Sequence, residues 1–180
     1  MVFGDRFLYS NCRQARNRKL RELAPGSLVV FGSKHRGEFV IDTVFVVGDE
    51  TQDFLGATAD EVGVDELVRA VVFDPLRRNP KTAHQQFRLY RGRTFAEAPS
   101  GPFSFVPCRS YNEADPAFAR PILRLPPRWI EPNLAMAARV TAASATEVHQ
   151  LWGEIVDQVQ ADGLALGVRL DAPAPANTGA

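Results

Sequence analysis

Cysteine and histidine are scarce in this chain of 180 residues, which contains two cysteines and three histidines. Cys12 and Cys108 cannot build a disulfide framework, and neither belongs to a C-x-x-C pair, so both are expected to be reduced, partly buried thiols. The histidines are widely separated and have no cysteine or carboxylate at metal-ligand spacing. We therefore expect no metal site and no bound cofactor.

The common catalytic motifs are also missing. The sequence has no G-x-G-x-x-G after a strand, no G-x-x-x-x-G-K-[ST] and no G-x-S-x-G. These absences leave Rossmann cradles, P-loops and nucleophile elbows without support. A nucleophilic pair of Cys12 or Cys108 with His35 is an open alternative, but no third group is marked to orient it. No catalytic residue is assigned.

Long apolar runs are absent as well. No stretch reaches the roughly 18 residues of a membrane helix, and the N-terminus lacks the apolar segment of a secretory signal. We expect a cytoplasmic protein with no membrane partner. The hydrophobic fraction of 45% suits a globular core, and the length suits one domain over residues 1–170, followed by a disordered tail at 171–180.

The formal net charge is zero, but the charges are segregated along the chain. Residues 1–36 carry eight Lys and Arg against two acids, whereas residues 37–75 carry one against ten. Residues 76–124 are again basic, and residues 125–180 are mildly acidic. If the two basic segments meet in space they form a cationic face. The alternative is that basic and acidic segments pair across the surface.

A β-hairpin is the clearest pattern in the chain. Strands are predicted at 28–31 and 39–47, where β-branched and aromatic residues flank a polar turn bracketed by Gly32 and Gly37. A basic helix is predicted before the hairpin, over residues 11–23, and Pro25-Gly26 ends it. Together these patterns favour a small β-barrel that presents a basic surface.

The rest of the chain predicts an α+β protein with flanking helices. The C-terminal helix is the strongest of them, because Ser144 and Glu147 form a capping box, apolar residues recur at helical spacing and Gly163 stops it. The remaining expectations are an acidic loop at 48–57, a short helix at 58–70, strands at 71–73, 86–91, 99–108 and 164–170, a loop at 76–86 and an extended proline-rich connection at 109–135.

Three patches are candidate binding surfaces, and each has a structural alternative. The first is the start of the basic helix. Its free N–H groups and arginines would attract phosphate, and the alternative is a solvated basic helix face. The second is the hairpin tip, which either contacts phosphates or only aids solubility. The third is an aromatic strand whose rings either stack on unpaired bases or lie in the core. The candidate residues are Tyr9, Asn11, Cys12, Arg13, Gln14 and Arg16 in the first patch, Ser33, Lys34 and His35 in the second, and Phe103, Phe105 and Arg109 in the third.

Residues 20–33, with the sequence LRELAPGSLVVFGS, resemble the entry into the barrel of the PUA-like superfamily, which includes the ASCH and EVE domains. Residues 39–47 resemble the next strand, and residues 99–111 are similar more loosely. The resemblance implies a small mixed β pseudo-barrel that binds RNA or modified bases in a pocket lined by aromatic and polar side chains. By resemblance, Tyr9, Asn11, Ser33 and Phe103 are pocket residues.

The leading hypothesis is a module that binds nucleic acid or a nucleotide, with a basic face and a small pocket for a base. One alternative is an enzyme acting on nucleotides or nucleic acid, with a pocket formed by Tyr9, Asn11, Cys12, Gln14 and Ser33. Another is a protein-interaction domain that uses the proline-rich segment and the last helix. These hypotheses include RNA and DNA as ligands, with or without a modified base, and they specify no oligomeric state.

Overall fold

The computed structural model of the protein describes residues 2–109, 118–129 and 140–171. It shows a mixed α+β fold, as predicted. Six strands are present in the described residues: β1 Leu8–Tyr9, β2 Leu28–His35, β3 Glu38–Leu55, β4 Gln86–Gly92, β5 Val106–Cys108 and β6 Ala165–Gly167. The four α-helical segments are α1 Glu66–Val68, α2 Asp74–Arg78, α3 Pro80–Ala83 and α4 Ala145–Ala161.

The main sheet is antiparallel, with four strands in the order β1-β4-β3-β2. The predicted hairpin is confirmed as β2 and β3, but its turn is tighter than the sequence indicated. Arg36 and Gly37, with φ of 50° and 93°, form the two-residue turn, since a tight hairpin requires positive φ at both positions. Residues 32–35, predicted to be turn, therefore continue the strand, with a register shift between Phe31 and Gly32.

The predicted acidic loop at 48–57 is wrong, because β3 continues through it to Leu55. The first half of β3 pairs with β2, and the second half pairs with β4. Asp53 lies opposite Arg88, and Phe54 lies opposite Phe87. Cross-strand ion pairs and aromatic pairs stabilise a ladder. Residues 49–53 are exposed, and within residues 49–55 of β3 only Phe54 is buried.

A second sheet contains only β5 and β6. Single-residue bridges lie beside it: Val44 of β3 pairs with Phe105, which immediately precedes β5, and Gly4 pairs with Leu170, which lies beyond β6. The strands in the described residues do not close into a barrel. The predicted strands at 99–108 and 164–170 are shorter than expected, because β5 and β6 have three residues each.

The predicted basic helix over 11–23 is wrong. Residues 11–17 form tight turns, in which Arg13 has a φ of 62°, a left-handed conformation that interrupts a right-handed helix. Only a short 3-10 helix follows, Arg18–Arg21, capped by the Asn17 side chain on the Lys19 N–H. This segment therefore has no long helix whose N-terminus could bind phosphate.

Residues 56–83 are mostly helical, apart from residues 62–65 and 79, rather than a mixture of helix, strand and loop. A 3-10 helix, Gly56–Glu61, precedes α1, whose cap is the Asp65 carboxylate on the Val68 N–H at 2.8 Å. A π-turn, Arg69–Phe73, joins α1 to α2, and Pro75 follows it. Proline lacks the N–H that would bond the carbonyl four residues back, which explains the irregular turn. The predicted strand at 71–73 and loop at 76–86 are therefore wrong, because residues 69–78 and 80–83 are helical.

Helix α4 confirms the sequence prediction. The Ser144 and Glu147 capping box is present, and Leu151, Ile155 and Val159 face the core beneath it. Gly163 follows the helix with a φ of 73°. The predicted tail, and part of the proline-rich connection, lie outside the described residues.

Three clusters of buried side chains form the core. The first packs Phe73, Phe54 and Leu89 under the segment 66–78, and the second packs α4 against Phe103 and Phe105. The third surrounds Tyr9 on the opposite face of the main sheet from the first. The short strand β1 ends where the first and third clusters meet.

Candidate functional site

A cavity of about 150 Å³ opens at the end of β1, between the first and third core clusters. Its walls come from the N-terminal segment, the β2–β3 hairpin, the helical segment 66–78 and β4. The residues that line it are Val2, Leu8, Tyr9, Ser10, Asn11, Cys12, Phe31, Thr43, Phe45, Val68, Val72, Phe73 and Leu89. Most of these side chains are apolar, so the cavity suits an apolar or aromatic group.

Tyr9 is the centre of the aromatic wall. Its ring stacks on Tyr90, with centroids 5.8 Å apart, and meets Phe31 and Phe45 edge-on at 5.3 and 6.0 Å. Burial raises the pKa of the Tyr9 phenol well above its usual range, so the group stays protonated at neutral pH. The phenol donates a hydrogen bond to the Cys12 carbonyl at 2.9 Å. This bond holds the turn at residues 9–12 beside the cavity.

Ser10 is a buried polar residue that lines the same cavity. It is 6% exposed, and its Oγ has no hydrogen-bond partner among the residues that the structure describes. A buried hydroxyl without a partner is costly, and such groups are uncommon in folded proteins. Ser10 was not among the residues selected from the sequence, because a serine beside a short strand has no distinguishing pattern.

Asn11 and Cys12, both selected from the sequence, also line the cavity. Cys12 is exposed and is a free thiol, whereas Asn11 is half-buried. Tyr9, Asn11 and Cys12 are thus the three predicted residues that the structure brings together around one cavity. The hairpin contributes Phe31 and Thr43 rather than the predicted tip.

Gln14 has a structural position that differs from its predicted ligand-binding role. Its side chain is fully buried, and its amide exchanges two hydrogen bonds with the Arg88 backbone. Nε2 donates to the Arg88 carbonyl at 2.8 Å, and the Arg88 N–H donates to Oε1 at 2.8 Å. The side chain thus continues the ladder of β4 beyond the end of β1. Because this side chain is fully buried and its amide bonds the backbone of β4, the structure assigns Gln14 a structural role.

A polar cleft of about 420 Å³ lies beside the Arg18–Arg21 turn, where the two basic segments of the sequence meet. Arg18 forms an ion pair with Glu22 at 2.8 Å, and the Arg21 guanidinium donates to the Gln86 carbonyl at 2.7 Å. The Arg88 guanidinium donates two hydrogen bonds, of 2.6 and 2.7 Å, to the Asp53 carboxylate, and these bonds lower the pKa of that carboxyl. The two basic segments therefore meet here, as a cationic face requires, but acidic side chains also pair with two of the arginines, as the alternative of surface ion pairing requires.

The remaining predicted residues do not line the cavity. Lys34 and His35 are exposed near the hairpin tip, and Arg16 is exposed in the turns after Arg13. The Ser33 hydroxyl accepts a hydrogen bond from Arg120, which also pairs with Asp42. Arg109 is exposed directly after β5.

The proposed stacking role of Phe103 and Phe105 is wrong, because both rings are buried in the second core cluster. Phe103 meets the Trp152 ring of α4 at 5.0 Å, and the Trp152 indole donates to the Phe103 carbonyl at 3.0 Å. The alternating aromatic pattern of this segment is a core pattern. Trp129 is half-buried against the same cluster, with the Arg128 guanidinium 4.7 Å from its ring centroid.

Among residues 2–109, 118–129 and 140–171, no group of three or more His, Cys, Asp or Glu side chains could hold a metal ion. In the same part of the chain, no helix is long and apolar enough to cross a bilayer. Comparison of the chain with protein-family models, curated proteins and solved structures found no match.

Proposed function

We propose that this protein is a PUA-like module that binds nucleic acid or a nucleotide, with a base in the cavity at the end of β1. The observation that carries the proposal is the open cavity of about 150 Å³, whose walls include four aromatic rings and which Asn11 and Cys12, at the start of the basic segment 11–21, also line. Aromatic walls bind the faces of bases, and arginines contact phosphates without reading sequence.

The PUA-like pseudo-barrel is part of the same proposal. Two features support it, and the first is a pair of isolated bridges: Val44 of β3 pairs with Phe105, next to β5, and Gly4 pairs with Leu170, beyond β6. The second feature is β3, whose halves pair with different strands and which has a register irregularity between Val47 and Thr51, a feature common in the curved strands of small barrels.

Binding is favoured over catalysis by the composition of the walls. Among the described residues that line the cavity, none is His, Asp, Glu or Lys. General acid–base catalysis depends on such side chains within reach of the substrate. Cys12 lies at the cavity without a neighbouring base in the lining.

The phosphate component is tested by salt dependence. Single-stranded RNA and DNA oligonucleotides are titrated by fluorescence anisotropy across a series of salt concentrations. We expect Arg16→Ala and Lys34→Ala each to weaken binding of every sequence alike, and to reduce the log–log salt slope by about 0.7 per lost phosphate contact. The control is Arg124→Ala, an exposed arginine whose backbone bonds Gln158 of α4. Binding that is absent at low salt, or unaffected by both replacements, contradicts the proposal.

The cavity component is tested by filling it. Val72 lines the cavity, whereas its neighbour Val71 is 52% exposed and lies outside the lining. We expect Val72→Phe to weaken nucleotide binding at least about tenfold, because the larger ring occupies the space of the base. Val71→Phe adds the same volume at the surface and is expected to bind normally. Equal affinities of the two variants, measured at equal concentrations of folded protein, would rule out this cavity as the site.

A further inference from the structure

We propose that the cavity selects a single six-membered ring, a pyrimidine rather than a purine, and that Ser10 is the residue that recognises its polar edge. This inference rests on the proposed function and specifies its ligand class. It is carried by two independent observations, the size of the cavity and the buried Ser10 hydroxyl that lacks a partner among the described residues.

The size of the cavity favours one ring. An apolar cavity of about 150 Å³ holds a ring the size of benzene, whereas pockets for larger ligands have about 300–1,000 Å³. A pyrimidine matches the smaller volume. A purine has a second fused ring, which must displace wall side chains such as Phe45 and Phe73, and these are 1% exposed and tightly packed.

A pyrimidine also has a polar edge that needs a hydrogen-bond partner, and Ser10 is the side chain that can provide one. The Tyr9 phenol already donates to the Cys12 carbonyl, so it is committed within the protein. The Ser10 hydroxyl has one donor and two acceptor sites, and a rotation about χ1 moves it between three staggered positions. A ring carbonyl or amino group supplies the partner that the hydroxyl lacks. Because the hydroxyl both donates and accepts, it suits uracil-type and cytosine-type edges alike.

This role predicts opposite effects of one substitution on binding and on stability. Ser10→Ala removes a hydroxyl that has no partner among the described residues, so the melting temperature is expected to stay the same or rise. The same variant loses the hydrogen bond to the ring, so pyrimidine affinity is expected to fall about three- to tenfold. A serine with a purely structural role would lower stability and leave affinity unchanged.

Ser104 is the matched control. It is 5% exposed, and its Oγ accepts a hydrogen bond from the Val46 N–H at 2.9 Å. Ser104→Ala is therefore expected to lower the melting temperature and to keep pyrimidine affinity per folded molecule.

The experiment is isothermal titration of the full chain with UMP, CMP, AMP and GMP at one salt concentration, repeated with both serine variants. We expect UMP and CMP to bind at least about tenfold more tightly than AMP and GMP. Equal binding of all four nucleotides overturns the pyrimidine inference and leaves the proposed function intact. Full pyrimidine affinity in Ser10→Ala overturns the role of Ser10. Absence of binding by all four nucleotides and by oligonucleotides overturns the proposed function itself.

Discussion

Replacing Gln14 with leucine is expected to lower the free energy of unfolding by about 2–4 kcal/mol. The leucine fills nearly the same volume but leaves the Arg88 N–H and carbonyl without the two 2.8 Å bonds that the amide now makes. Each buried backbone group left without a partner costs about 1–3 kcal/mol. Urea denaturation of the variant and the wild type measures the difference.

Two further variants identify the cause of that loss. Gln150→Leu, at an exposed position of α4, is expected to change stability by less than about 0.5 kcal/mol. Gln14→Glu keeps the acceptor but loses the donor at neutral pH, and a protonated carboxyl regains it. Its deficit relative to the wild type is therefore expected to shrink as the pH falls from 7 to 5. A deficit of Gln14→Leu below about 0.5 kcal/mol would contradict this stabilising role of the Gln14 amide.

Replacing Gly56 with alanine is expected to cost about 2–3 kcal/mol, because there is no room for a methyl group. A Cβ at this position would lie 2.2 Å from the Thr82 carbonyl oxygen and 3.1 Å from the Ala83 Cα, both in the backbone of α3. Backbone atoms cannot rotate away as a side chain can, so the end of β3 must separate from α3. The Gly56 N–H bond to the Gln85 carbonyl, at 3.0 Å, would be strained by the same movement.

Gly63→Ala is the control for that substitution. A Cβ at Gly63 meets nothing within 4 Å. We expect this variant to equal the wild type or to exceed it by a few tenths of a kcal/mol, because alanine restricts the unfolded chain. Thermal and urea denaturation of both glycine variants give the comparison. If Gly56→Ala matched Gly63→Ala, the close approach of β3 to α3 would be wrong.

The parts of the fold that could be predicted from the sequence are those encoded by local patterns. The capping box of Ser144 and Glu147 fixes the start of α4, and alternation over 86–91 identifies β4. The hairpin could also be predicted from local turn chemistry. Its turn is Arg36-Gly37, both with positive φ, at the end of the stretch between Gly32 and Gly37 that the sequence indicated.

Predictions failed where contacts distant in sequence determine the conformation. The segment 11–23 has helical spacing, but its Gln14 pairs with Arg88, 74 residues away, and this contact requires turns instead. The acidic residues 49–53 have loop composition, but pairing with β4 makes them a strand. The short apolar run at 71–73 suits strand or helix equally, and the cap at Asp65 decides for helix.

Only the part of the candidate site formed by residues close in sequence could be predicted. Tyr9, Asn11 and Cys12 lie next to each other in sequence, so one polar cluster included all three. Thr43, Val72 and Leu89 belong to three other segments, and no spacing in a single sequence connects them to the cluster. Phe103 was attributed to the site because a core strand and a stacking strand have the same period of two.

The bond between Gln14 and Arg88 also bears on the order in which the protein folds. The β2–β3 hairpin closes through two residues, whereas this bond closes a separation of 74 residues and carries a larger loop entropy. We infer that the hairpin forms early and that the N-terminal segment docks on β4 late. The cavity is complete only after that docking, so a ligand bound there holds in place the segment of the chain that is ordered last.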